Sequence, residues 1–126
     1  MNERYVYFVV NRRNGHIKIG YSKNIEQRME NIRPVVSGAG LTVVGVVNGW
    51  KKEERFLHNV FKEYRVGNTE WFAPAPPLVE FIKESAKPYE GQTVFRDTDI
   101  YYGKSPAPWG YKLHSYTVPI YENPFQ

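Results

Sequence analysis

The stretch RYVYFVVNRRNGHIKIG, residues 4–20, decides the fold. Its first part (4–10) is dense in β-branched and aromatic residues, and its last part (16–20) returns to apolar residues after an interruption. The interruption, NRRNG (11–15), consists mostly of residues that favour turns. Two apolar runs joined by a short polar segment predict a β-hairpin, in which Lys18 is set between the two isoleucines of the second strand.

The length of the hairpin loop decides which side chains face each other. A two-residue Asn14-Gly15 turn would leave Tyr7 far from Lys18. A four-residue loop over residues 11–14 instead sets Tyr7 opposite Lys18 on one face, with their Cβ atoms about 5 Å apart. We expect the four-residue loop.

The rest of the chain predicts one further strand and three helices. Ser22 or Asn24 caps a helix that runs to about Arg33 and places Arg28 beside its apolar stripe. The later elements are a buried strand, a helix with a broad apolar face and a helix that starts at prolines, at residues 41–47, 51–64 and 73–88. We therefore expect an α+β fold, in which a small three-stranded antiparallel sheet is flanked by about three helices and followed by an irregular C-terminal extension.

Composition limits the class of protein. A chain of 126 residues with 41% hydrophobic residues is long enough for one globular domain with its own core. The absence of cysteine excludes disulfides, thiolate metal sites and a cysteine nucleophile. The sequence contains no apolar run of the roughly 18 residues that a membrane span needs, and no secretory signal, so we expect a cytoplasmic protein with no membrane partner.

Charge and composition divide the chain into two parts. Residues 1–88 contain 14 Lys and Arg against 9 Asp and Glu, a net charge of +5, whereas residues 89–126 have a net charge of −1. A basic body suits a polyanion such as nucleic acid, although it also serves solubility alone. We expect a domain over 1–88 and a Tyr- and Pro-rich extension over 89–126 that packs on the domain or contacts a partner. A homodimer and a different protein partner both stay open.

Polar residues of the hairpin and the helices are expected to meet on one concave side, namely Tyr7, Lys18, Arg28, Glu54, His58 and Glu70. Phosphodiester hydrolysis needs a proton acceptor for water, cations for the charge that grows on the phosphate, and a carboxylate for a divalent metal. A single carboxylate ligand, here Glu54, favours an ion that keeps most of its waters, as Mg²⁺ does. Each residue also has an ordinary explanation, since Tyr7 suits packing and Lys18 suits an exposed strand edge.

The order of the motifs resembles that of the GIY-YIG nuclease superfamily. YVY (5–7) stands where the GIY element occurs, KIG (18–20) stands where YIG occurs, and Arg28 follows in the next helix. The segment EERFLHNVFKEYRVGNTEWF (53–72) is similar to a phage and bacterial branch whose second half reads Glu-x-x-x-His and then EWF. The resemblance covers about residues 4–85.

The resemblance implies a metal-dependent endonuclease that hydrolyses DNA with Mg²⁺ or Mn²⁺ as its cofactor. It implies that Glu54 holds the metal and that Tyr7 acts as general base or orients water. Lys18 and Arg28 would neutralise the scissile phosphate, and His58 is a further catalytic candidate. Lys18 departs from the motif, which has a tyrosine there. A protonated lysine cannot act as a base, but the positive charge of a nearby Arg28 could cause Lys18 to lose its proton, so both roles stay open.

Two further expectations concern DNA binding and an alternative function. The candidate DNA-binding residues are basic and aromatic side chains near these motifs, namely Arg12, Arg13, Tyr21, Lys23, Lys51 and Lys52. The alternative function is a module that keeps the GIY-YIG fold and binds nucleic acid or protein without cleaving it.

Overall fold

The structure, a computed structural model, describes residues 4–11, 14–32 and 41–89. Its elements are β1 (Tyr5–Asn11), β2 (Ile17–Ser22), α1 (Ile25–Ile32), β3 (Leu41–Asn48), α2 (Lys51–Val60), a 3₁₀ turn (Lys62–Tyr64), β4 (Trp71–Phe72) and α3 (Pro76–Ser85). The strands form one antiparallel sheet in the order β3-β1-β2-β4. The α+β class, the antiparallel sheet and the three helices are thereby confirmed for the described part of the chain.

The predicted number of strands was wrong, because the sheet has four strands and not three. β4 is only two residues long and pairs Phe72 with Ile17 and Trp71 with Lys18 at the outer edge of β2. Such a strand is too short for the alternation of apolar and polar residues that predicts strands from sequence. Of the extension expected over 89–126, only its first residue belongs to the described part.

The β1–β2 hairpin has a four-residue loop, as expected, but the loop begins one residue later. The N–H of Asn11 donates to the carbonyl of His16 at 2.9 Å, so these two residues form the last pair of the hairpin, with four residues of the chain between them. Gly15 has a φ of 79°, a conformation that glycine adopts without steric cost. The side chain of Asn14 accepts the N–H of His16 at 2.9 Å and closes the turn. These local bonds favour the later position of the loop.

The later loop changes the pairing of the site residues. Tyr7 pairs with Gly20 and Val9 pairs with Lys18, so the prediction that Tyr7 lies opposite Lys18 was wrong. Because both ends of the loop lie one residue later than expected, the partner of each β1 residue lies two residues further along β2. A shift by two residues keeps every side chain on the face that was expected for it. Tyr7 and Lys18 therefore still share a face of the sheet, as diagonal neighbours.

The second and third helices are shorter than predicted. The helix expected to reach Tyr64 ends at Val60 and gives way to the 3₁₀ turn. α3 begins at Pro76 because a residue that precedes proline avoids the helical region, and Ala75 is extended with ψ 144°. α3 ends before Lys87, and Lys87 pairs with β3 instead of continuing the helix.

The core lies on both faces of the sheet. On one face, α2 packs against β2 and α3 packs against β3, around fully buried side chains that include Phe8, Leu57 and Phe81. On the other face, Ile25 and Met29 of α1 cover a smaller cluster of sheet residues. Burying one such large apolar side chain contributes roughly 1.5–3 kcal/mol. In the described residues, no helix combines the length and the apolar character needed to cross a bilayer.

Candidate active site

Tyr7 lies on the face of the sheet that α1 covers, and only 1% of its surface is exposed. Its ring passes over Gly20 of β2, because a Cβ on Gly20 would lie 2.5 Å from the ring carbon Cζ and closer still to the hydroxyl oxygen. Gly20 is not among the described glycines with positive φ. The glycine of the KIG motif is therefore required for space, and it lets the phenol lie across β2.

Lys18, on the same face, forms an ion pair with Glu70. The short strand β4 brings the two together, since Trp71 pairs with Lys18 and the carbonyl of Glu70 accepts the N–H of Ile19 at 3.1 Å. The side chain of Lys18 is 12% exposed and that of Glu70 is 47% exposed. A half-exposed carboxylate thus holds a nearly buried ammonium group in place.

Arg28 reaches the site from α1. Asn24 caps this helix, because its side-chain oxygen accepts the N–H of Gln27 at 3.1 Å, while Ser22 accepts the N–H of Asn24 at 2.9 Å. The choice between Ser22 and Asn24 as cap is thereby settled in favour of Asn24. Arg28 is exposed, one residue before the buried Met29. Burial raises the pKa values of both Tyr7 and Glu54, and the positive charge of Arg28 opposes this increase.

Glu54 reaches the site from α2. Burial raises the pKa of its carboxyl from an ordinary 4.5 to about 7, and the negative charge of Glu70 adds to the increase. The charges of Lys18, Arg28 and Arg55 oppose the shift. Glu54 is therefore a half-buried acid that is partly protonated at neutral pH and lies within the electric field of the Lys18–Glu70 pair.

His58 lies one turn after Glu54 on α2 and contacts the backbone of β2. Its Nε2 is 2.9 Å from the carbonyl oxygen of Ile19, and because a carbonyl can only accept, Nε2 donates. Burial is the largest influence on His58 and lowers its pKa, which favours the neutral ring at pH 7. The ring also meets the edge of Phe72, with the centroids 5.1 Å apart. His58 thus attaches α2 to the strand that carries Lys18.

The electrostatic effects on Tyr7 show which groups surround it. Burial raises the pKa of the phenol well above its ordinary value, Arg28 opposes this shift, and the charges of Glu70 and Glu54 reinforce it. Four elements, β1, α1, α2 and the segment before β4, therefore contribute groups to one site. A protonated phenol, two carboxylates and a guanidinium can together bind an anion, hold a cation and orient a water molecule.

The candidate DNA-binding residues lie in different places. Arg12 and Arg13 fall outside the described residues. Lys23 is exposed after β2, and Lys51 and Lys52 are exposed in the first turn of α2. Tyr21, in contrast, is half-buried, and its ring meets that of Trp50 at a centroid distance of 4.7 Å.

The acidic groups fit some metal ions better than others. Among the described residues, no group of three or more His, Asp or Glu side chains is placed to hold a metal. Zinc sites in proteins usually have three or four such ligands, so zinc does not fit. Mg²⁺ is commonly held by one or two carboxylates together with water and substrate phosphate, and Glu54 with its neighbour Glu70 fits that pattern.

Sequence reasoning missed three features of the site. The partner of Glu70 is Lys18, and only the two-residue strand β4 reveals it. The contact of Gly20 with the Tyr7 ring depends on the hairpin register. Trp50 was not singled out, because a lone tryptophan between a strand and a helix has no periodic signal.

Comparison with known proteins gives one family. The family model described as the T5orf172 domain matches residues 4–87, which is two-thirds of the chain. No curated protein and no solved structure matches the chain significantly. The matched range contains every site residue described above, and the family is associated with phage nuclease-type domains. The chain therefore belongs to the T5orf172 domain family.

Proposed function

We propose that this protein is a metal-dependent endonuclease of the GIY-YIG type that hydrolyses DNA phosphodiester bonds, with residues 1–88 as its nuclease domain and residues 89–126 as an appended extension. The observation that carries the proposal is a convergence across separate elements, in which the charges of Arg28, Glu54 and Glu70 all act on the phenol of Tyr7. The association of the T5orf172 family with nuclease-type domains supports it.

Two cations serve the scissile phosphate in this proposal. Arg28 is exposed and offers a planar fork of N–H donors that matches phosphate oxygens. Lys18 is held by Glu70 and offers its remaining N–H donors in a fixed direction. Donors that are already in position when charge develops on the phosphate lower the barrier without reorganisation.

Tyr7 orients the attacking water and does not act as the base. Burial and the two carboxylates raise the pKa of its phenol, so the proton stays on the oxygen at neutral pH. A protonated phenol both donates and accepts hydrogen bonds, and it can therefore fix the direction of a water molecule. Between the two roles that the sequence leaves open for Tyr7, its surroundings favour this one.

Glu54 holds the divalent cation. When bound there, Mg²⁺ or Mn²⁺ would supply positive charge to the phosphate oxygens and would acidify the attacking water, whose proton would pass to the solvent. Because Glu54 has a pKa of about 7, it must lose its proton before it can serve as a ligand. His58 keeps α2, and with it Glu54, at a fixed position against β2.

A plasmid-nicking assay with Mg²⁺ or Mn²⁺ tests this function. Glu54→Gln and Arg28→Ala should each reduce the nicking rate by at least about a hundredfold. The matched controls are Glu80→Gln, an exposed acid on α3, and Lys62→Ala, an exposed cation in the 3₁₀ turn, and both should nick at the wild-type rate.

The outcomes separate the two functions. Loss of nicking in Glu54→Gln with retained DNA binding supports the nuclease. If the wild type binds DNA but does not nick it with either metal, the protein is the non-catalytic binding module. If all variants nick equally well, the activity belongs to a contaminant and the assigned site is wrong.

A further inference from the structure

An aromatic and basic cluster lies at the start of α2, beside the proposed active site. The guanidinium of Arg4 lies 4.9 Å from the ring centroid of Trp50, and Tyr21 meets the same ring edge-on at 4.7 Å. We refer to Arg4, Tyr21 and Trp50 as the Trp50 cluster. Its members come from three separate places in the chain, namely the residue before β1, the end of β2 and the residue before α2.

The backbone fixes the Trp50 cluster in place. The N–H of Trp50 donates to a carboxylate oxygen of Glu53 at 2.8 Å, which caps the start of α2. The N–H of Gly49 donates to the carbonyl of Arg4 at 3.0 Å and joins the two segments. The backbone at Trp50 is therefore held in place, and Arg4 and Tyr21 contact its ring. A base that stacks on the part of the ring left uncovered by Arg4 would cost little conformational entropy.

The surroundings of the Trp50 cluster suit an anionic partner. Trp50 and Tyr21 are half-buried, and Arg4 is exposed. Lys51 and Lys52 are exposed directly after the tryptophan. Cations arranged around a partly exposed aromatic ring are the combination with which proteins bind single-stranded nucleic acid, where the cations contact phosphates and the ring stacks on a base.

The distance from the Trp50 cluster to the proposed active site is short. The N–H of Glu54 donates to the carbonyl of Trp50 at 3.0 Å, so the two residues are one helical turn apart. One turn rises about 5.4 Å, and successive nucleotides in a strand of duplex DNA rise about 3.4 Å. A base one or two nucleotides from a phosphate at Glu54 would therefore lie beside Trp50.

We infer that the Trp50 cluster binds an unpaired base next to the scissile phosphate, so that the preferred substrate is DNA with a single-stranded nucleotide at the cleavage point. In an intact duplex the faces of the bases are covered by their neighbours, and an aromatic ring reaches a base face only where the base is unpaired or flipped out. This inference rests on the proposed function for the position of the phosphate.

The test measures DNA binding by fluorescence anisotropy in the uncleaving Glu54→Gln background. Three labelled ligands of equal length are compared: a single-stranded oligonucleotide, its duplex with the complement, and an abasic strand that has the sugar-phosphate backbone alone. Trp50→Ala should weaken binding of the single strand by about 5- to 150-fold. The same variant should change the affinity for the duplex and for the abasic strand less than twofold. A change of that size is expected when a surface residue that does not contact the ligand is replaced.

Matched variants separate stacking from folding. Trp50→Phe keeps an aromatic face and should restore most of the affinity for the single strand. Phe56→Leu alters another half-buried aromatic residue of α2 and should leave the affinity unchanged. An equal loss on all three ligands, or no loss on the single strand while Trp50→Ala remains folded, overturns the inference.

The failure of this inference is distinguishable from that of the proposed function. The anisotropy measurement needs no cleavage, so a protein that never nicks DNA can still show the contrast between single strand and abasic strand, which supports the Trp50 cluster alone. A protein that nicks plasmid but shows no such contrast keeps the nuclease function, and the Trp50 inference is wrong.

Discussion

Replacing Gly20 by alanine tests the arrangement of the hairpin and of the site at once. The added Cβ would lie 2.5 Å from Cζ of Tyr7 and 3.1 Å from Cε2, whereas ordinary carbon contacts are at least about 3.5 Å. The ring must therefore move by about 1 Å. Because Tyr7 is 1% exposed and packed between β2 and α1, its ring cannot swing into solvent to avoid the methyl group.

The expected loss of stability can be bounded. Adding a methyl group to a packed core costs about 1–3 kcal/mol. Removing a glycine from the interior of a strand returns roughly 0.5–1 kcal/mol, because glycine loses more conformational entropy on folding. The net change for Gly20→Ala is therefore a loss of about 0–2.5 kcal/mol in the free energy of unfolding, which urea denaturation measures. Since a displacement of about 1 Å in a positioned group can lower a rate by about a hundredfold, nicking should fall by about that factor.

A double-mutant cycle shows whether the Tyr7 ring is the cause. Tyr7→Leu removes the ring atoms that the new methyl group would meet. In the Tyr7→Leu background, Gly20→Ala should be neutral or stabilising by up to about 1 kcal/mol, and the difference between the two backgrounds is the coupling energy. If Gly20→Ala leaves both the stability and the nicking rate of the wild type unchanged, the ring does not lie over Gly20 and the described site geometry is wrong.

Three further predictions concern the acids and the first helix. Glu54 has a folded-state pKa of about 7, above its ordinary 4.5, so in EDTA its contribution to stability is complete below pH 4.5 and is lost as the pH rises through 7. The free energy of unfolding of Glu54→Gln should lack that decline in urea titrations, and an equal decline in both proteins would contradict the assignment. Glu70→Gln removes the like charge and releases Lys18, so the pKa of Glu54 should fall in an NMR titration, and an unchanged pKa would mean that the two acids are not neighbours. Asn24→Ala removes the cap bond to Gln27 and should lower stability by about 0.5–2 kcal/mol in urea denaturation, whereas Asn24→Asp should retain most of it.

The sequence predicts which side chains share a face of the sheet, but it does not predict which residues of neighbouring strands pair. Tyr7 and Lys18 share a face because side chains alternate along each strand, and that parity survives a loop that begins one residue later. The register depends on bonds that Asn11 makes at the end of β1 and Asn14 makes inside the loop, and no apolar pattern encodes these bonds. The faces could therefore be predicted, whereas the partner of Tyr7 could not.

The same distinction applies to the site. Tyr7, Arg28 and Glu54 could be predicted as neighbours from the motif order, and the electrostatic effects on the Tyr7 phenol place all three in one field. The partner of Lys18 could not be predicted, because Glu70 follows Lys18 by 52 residues and contacts it only through the two-residue strand β4. Contacts that depend on such short strands come from tertiary packing and leave no local pattern.

The charges of the site explain why the proposed reaction would depend on a divalent cation. Lys18 and Glu70 are paired and cancel each other, which leaves Arg28 and Arg55 to act on the carboxyl of Glu54. A phosphodiester brought to this site would therefore be attracted by Arg28 and Arg55 and repelled by an ionised Glu54. Burial, and after it the negative charge of Glu70, raises the pKa of Glu54, so the ionised carboxylate is disfavoured at this site. Positive charge from outside the chain would remove both penalties at once, because it favours the ionised carboxylate and attracts the phosphate.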